Sequence, residues 1–78
     1  VKVHGNAAVY ISSMERGLTL DHKFGHGMGG YLYVISGVLG LDGERLSTGD
    51  GAKIWDEPEI TLRADDETEL ILVEAQLQ

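Results

Sequence analysis

Turn residues interrupt this chain so often that a long helix has no room to form. Gly17, the run Gly25-His26-Gly27-Met28-Gly29-Gly30, Gly37, Asp42-Gly43, Gly49-Asp50-Gly51 and Asp56-Glu57-Pro58 cut it into short segments. Short apolar runs between such breaks are the mark of strands joined by turns. Ala8-Val9-Tyr10-Ile11 is β-branched and aromatic, and Leu18 to Phe24 places apolar residues at 18, 20 and 24, a period of two. Tyr31-Leu32-Tyr33-Val34-Ile35 is apolar on both faces, which predicts a strand covered on two sides in the middle of the core. Asp42-Gly43 supplies the positive φ angles of a type I′ hairpin between Val38–Leu41 and Glu44–Leu46. Ala52 to Trp55, Ile60 to Arg63 and Glu69 to Glu74 complete the set, with Asp65-Asp66-Glu67 as a solvated turn. About seven or eight short antiparallel strands must close on themselves or stack as two sheets to protect their edges, so the expected fold is an all-β jelly roll or barrel.

Composition narrows the functions. At 78 residues the chain has one core, and a deep substrate pocket would compete with that core for the same side chains. Thirteen acidic against six basic residues give a net charge of −7, which repels phosphate backbones and anionic lipid and excludes nucleic acid and membrane as partners. The absence of cysteine fits a reducing compartment, the cytoplasm. No apolar run approaches the length that spans a bilayer, and the first residues have no signal-peptide pattern. A chain that begins at Val1 without an initiator Met fits a piece of a longer protein.

Gly17, Gly37 and Gly49 fall where the cupin superfamily places its turn glycines. The first cupin motif, Gly, five residues, His-x-His, three or four residues, Glu, six residues, Gly, runs here from Gly17 to Gly37 and sets its ligand positions on Lys23, Gly25 and Gly30. The second starts at Gly49 and sets its His on Ile60 and its Asn on Ala64. The glycine frame matches and the four metal ligands are replaced. The run Gly37 to Leu46, then Gly49 to Ala52, Leu62, Ala64, Glu69, Leu70 and Leu72, resembles the C-terminal cupin domain of bacterial pirin-family proteins, the group that includes quercetin 2,3-dioxygenases. The likeness runs from about Asn6 to Leu72 as many weak matches. The resemblance implies that residues 1–78 form one small cupin (a jelly roll, or double-stranded β-helix) corresponding to the C-terminal half of a bicupin, with Val1 to His4 as the strand entering from the other half. It further implies that a divalent metal is held by three His and one Glu of an N-terminal half, and that no cofactor belongs to this chain.

The remaining chemistry-bearing residues read mostly as structure. Lys23 is better explained as a solvated strand residue than as a Schiff-base lysine, and an ammonium at a ligand position would repel a dication. His4, His22 and His26 are the candidates for a metal site outside the family frame. Gly25 and Gly27 break the strand between His22 and His26, and exposed or hydrogen-bonded loop histidines are the simpler account. The Gly25 to Gly30 stretch would bind phosphate only if it opened a helix, and the adjoining residues, Tyr31 to Ile35, read as a strand. Asp56, Glu57 and Glu59 beside Trp55 form a solvated acidic turn, and Ser12, Ser13, Ser36 and Ser47 show no nucleophile elbow. Tyr31, Tyr33 and Trp55 are candidates to line the barrel interior, while aromatics left on a surface would favour protein contact.

The expected function is therefore that of a noncatalytic C-terminal cupin domain that packs against and stabilises a metal-bearing cupin half. The alternatives are a small metal-dependent cupin dioxygenase acting on flavonols and a metal-free cupin that binds small molecules. The expected partner is the N-terminal half of a longer protein, or a second copy of the chain in a homodimer.

Overall fold

The computed structural model describes residues 8–76. Eight strands build it: β1 (Ala8–Met14), β2 (Thr19–Lys23), β3 (Met28–Ser36), β4 (Val38–Leu41), β5 (Glu44–Ser47), β6 (Gly51–Ile54), β7 (Glu59–Ala64) and β8 (Thr68–Gln76). They form two four-stranded sheets, in the orders β1-β8-β3-β6 and β2-β7-β4-β5, and every pairing is antiparallel. Only the β4–β5 hairpin joins sequence neighbours within a sheet, and each other connection crosses to the opposite sheet. This is the strand order of a jelly roll.

The hairpin forms as its sequence demands. Asp42 and Gly43 both take positive φ, 48° and 89°, as a type I′ turn requires. Asp42 also ties the turn to β7, because its Oδ1 accepts the Thr61 amide at 3.0 Å while its own amide donates to the Thr61 carbonyl at 3.0 Å. The glycine frame is equally structural: Gly17, Gly37 and Gly49 have φ of 88°, 107° and 88°. Gly37 carries a second constraint, since a Cβ there would collide with the Glu67 carbonyl and lie 2.6 Å from Thr68 Oγ1.

Alternation fills the space between the sheets. Ile60, Leu62 and Ala64 of β7 and Leu39 and Leu41 of β4 meet Leu32 and Val34 of β3 and Leu70 and Leu72 of β8. Met14, Ile54 and Phe24 close the rest of the core. At one end Thr68 is buried and fastens β8 to β4, its hydroxyl accepting the Val38 amide at 3.2 Å and lying 2.9 Å from the Val38 carbonyl.

Two expectations are corrected here. The segment Tyr31 to Ile35 is covered on one face only: Leu32 and Val34 are buried, whereas Tyr31, Tyr33 and Ile35 point away from the second sheet. The sequence pattern reports two apolar faces, and the fold supplies a partner sheet for one of them. For the same reason Tyr31, Tyr33 and Trp55 do not line the barrel; they are 44%, 39% and 57% exposed. The interior at their level belongs to Leu32, Val34 and Ile54.

Candidate functional site

The polar feature of the interior is a pair that joins the two sheets. Glu74 lies on the inward side of β8, in step with Leu70 and Leu72, and is 7% exposed. An ionised carboxylate in that position requires partners. His22, on the inward side of β2, supplies one: its Nε2 lies 2.9 Å from Glu74 Oε1. The Gly25 amide supplies the other, donating to Glu74 Oε2 at 3.0 Å, so one side chain holds both the imidazole and the start of the β2–β3 connection. Tyr10 of β1 and Phe24 set their rings edge-on to the imidazole, with centroids 5.2 Å and 4.9 Å away. With Nε2–H donating to the carboxylate, Nδ1 is left as the free acceptor of the ring.

The parity of β2 corrects the counted cupin frame by one residue. Lys23 and Gly25 are not the inward pair. Lys23 is exposed on the outer side, opposite Glu59, and the inward residues are His22 and Phe24. Gly30 does lie between the sheets, but no larger residue fits there: a Cβ would stand 2.8 Å from the Val73 carbonyl and 3.0 Å from the Phe24 ring. Ile60, the position of the second-motif His, is buried beside His22 in the register and packs into the core. Ala64, the Asn position, is fully buried.

This donor set does not fit a cupin metal centre. His22 and Glu74 satisfy each other, Phe24, Gly30 and Ile60 carry no donor side chain, and no buried side-chain nitrogen or oxygen among the described residues lacks a partner. No group of three or more His, Cys, Asp or Glu among the described residues is placed to hold a metal ion. Of the three histidines considered from sequence, His22 is taken up by Glu74, His26 is exposed in the loop before β3, and His4 lies outside the described residues. Asp56, Glu57 and Glu59 are exposed. The sequence reading missed Glu74 as His22's partner. The signal was its place two residues beyond Leu72, on a strand whose even positions from Thr68 to Glu74 are all inward.

Comparison with known proteins agrees with this architecture. The model of the quercetinase C-terminal cupin domain matches residues 1–75. A pirin-like protein of Caulobacter vibrioides is 37% identical over 73 residues, which are 94% of this chain and 32% of that protein. Quercetin 2,3-dioxygenase of Escherichia coli K12 is 29% identical over 72 residues, 92% of this chain and 31% of the enzyme. The crystal structure of the bacterial pirin YhhW from Escherichia coli in complex with nickel(II) superposes with a TM-score of 0.93 at 27% identity, covering 100% of this chain and 34% of that one. This chain thus spans about a third of the length of these relatives. With the jelly-roll order, the glycine frame and the family match in agreement, the chain belongs to the quercetinase C-terminal cupin domain family of pirin-like proteins.

Proposed function

We propose that this chain is the noncatalytic half of a two-cupin protein, packing against and stabilising a metal-bearing half that carries out the chemistry. The observation that carries the reading is the interior. Phe24, Gly30 and Ile60 occupy inward positions by packing, and His22 and Glu74 are committed to each other. On this reading residues 1–78 are one cupin domain, the C-terminal half of a bicupin, and any divalent metal belongs to the other half. The nickel of the YhhW complex supports metal use in that protein. The activity proposed for the whole protein is oxidation of a flavonol of the quercetin 2,3-dioxygenase type, on the strength of the relatives' names.

The absence of cysteine supports a cytoplasmic setting. Among the described residues no helix is long and apolar enough to cross a membrane. A homodimer is the second reading of partnership, favoured by the apolar residues that β3 turns outward.

Assaying the isolated chain with quercetin and dioxygen, in the presence of nickel, iron(II), manganese(II), copper(II) or zinc, tests the companion role. No turnover above the metal-only blank is expected. Turnover that disappears in His22→Ala would replace this reading with that of a small enzyme.

A further inference from the structure

The two outward surfaces of the sandwich are of opposite kinds. On the β2-β7-β4-β5 sheet the outward pairs Thr19–Arg63, Asp21–Thr61 and Lys23–Glu59 set polar or opposite charges across neighbouring strands, and Thr61 Oγ1 donates to Asp21 Oδ1 at 3.0 Å. That surface is suited to water. On the β1-β8-β3-β6 sheet the register instead aligns Val9, Val73, Tyr31 and Lys53 in one outward row and Ile11, Ile71, Tyr33 and Gly51 in the next. Val9 and Ile11 are 64% and 75% exposed. Although the chain has thirteen acidic residues, Glu69 is the only one at an outward position of these four strands.

This face also has relief. Gly29 pairs with Ala75, and these small residues floor a groove of about 270 Å³ walled by Tyr31, Trp55 and Val73. A contiguous outward apolar face with a groove in it is the form of a protein contact, with the groove placed to take an anchoring side chain.

The geometry points to this face, centred on Ile11, Tyr31 and Trp55, as the surface that docks the metal-bearing cupin half, a partner that rests on the companion reading above. Two observations choose that occupant over a second copy of the chain. The relatives carry about two thirds of their length outside the matched region, so a further body of chain is present in them to cover the face. Two copies of this chain would each bring a net charge of −7 to a self-contact.

The test co-expresses the 78-residue chain with the tagged N-terminal two thirds of the Caulobacter pirin-like protein, using that protein's own C-terminal third as the positive control. Complexes are captured and sized by light scattering. Ile11→Glu and Trp55→Ala change the apolar face, and Thr19→Glu is the control on the opposite sheet. All three positions are exposed, and circular dichroism of the isolated variants checks that each folds. The expected result is a one-to-one complex for the parent chain and Thr19→Glu, weakened about 30-fold by Ile11→Glu and about 10-fold by Trp55→Ala. Equal capture of all variants would overturn the choice of face and leave the companion reading standing. No capture of this chain, while the positive control is captured, would overturn the companion reading and this surface with it. A dimer of the isolated chain that Ile11→Glu dissolves, without capture of the other half, would assign the face to a second copy instead.

Discussion

Removing the imidazole from the His22–Glu74 pair, while keeping its ring contacts, measures what the interior polar bridge contributes. His22→Phe retains an aromatic between Tyr10 and Phe24 but leaves Glu74 Oε1, on a side chain 10% exposed, without its partner at 2.9 Å. A buried charged acceptor stripped of a partner costs about 2–3 kcal/mol. Glu74→Leu removes the charge but leaves the Gly25 amide without its acceptor at 3.0 Å, at about 1–2 kcal/mol. The double variant removes both polar groups and fills the space with apolar ones, so it is expected to cost less than His22→Phe alone, a coupling of about 1.5 kcal/mol or more. For a domain of this size about 1 kcal/mol moves the melting temperature by roughly 4–8 °C. The melting temperature of His22→Phe should therefore fall by about 10 °C or more, and the double variant should recover at least half of that. Thermal and urea unfolding followed by circular dichroism give both numbers. Single-variant losses that add within about 0.5 kcal/mol would show that the bridge is not an energetic unit, and the reasoning would be refuted.

Gly37→Ala is expected to destabilise by about 2 kcal/mol or more, because φ is 107° and the new Cβ would meet Glu67 and Thr68; a midpoint shift in urea checks it. Leu32→Ala, at a fully buried site facing the second sheet, should cost about 2–5 kcal/mol by the same measurement. Thr68→Val should cost about 1–3 kcal/mol, since the Val38 amide loses its acceptor at 3.2 Å, and hydrogen exchange at that amide should rise in step. Dialysis of the chain against nickel, iron, copper, manganese and zinc, followed by mass spectrometry, should leave less than about a tenth of an equivalent of each; near one equivalent would show that His22 leaves Glu74 to bind metal.

The turn chemistry was legible because it is local. Asp42-Gly43 and the three frame glycines need positive φ whatever surrounds them, and all five residues have it. The inward pair on β2 was not legible by counting, because a one-residue shift exchanges every side chain between the two faces, and motif spacing does not fix parity that finely. Only the burial of Phe24 and the contact of His22 with Glu74 set it. The outward aromatics were misread for a different reason. Tyr31-Leu32-Tyr33-Val34-Ile35 states that both faces are apolar, but whether the second is covered by the chain's own sheet or by another molecule is not written in a strand's own residues.

That ambiguity bears on function as much as on fold. In a domain of 78 residues every inward position given to a metal donor is taken from a small hydrophobic core. Here the choice falls on packing: Phe24 closes over Gly30, and Ile60 stands beside the one inward imidazole among the described residues. His22 and Glu74 keep a polar bridge between the sheets, but each spends its hydrogen-bonding capacity inside the molecule. With the interior committed to cohesion, the informative residues of the domain are those turned outward. Ile11, Tyr31 and Trp55 are too apolar and too aligned for a face selected only by water, and the opposite sheet of the same molecule, with its cross-strand charges, shows what such a face looks like.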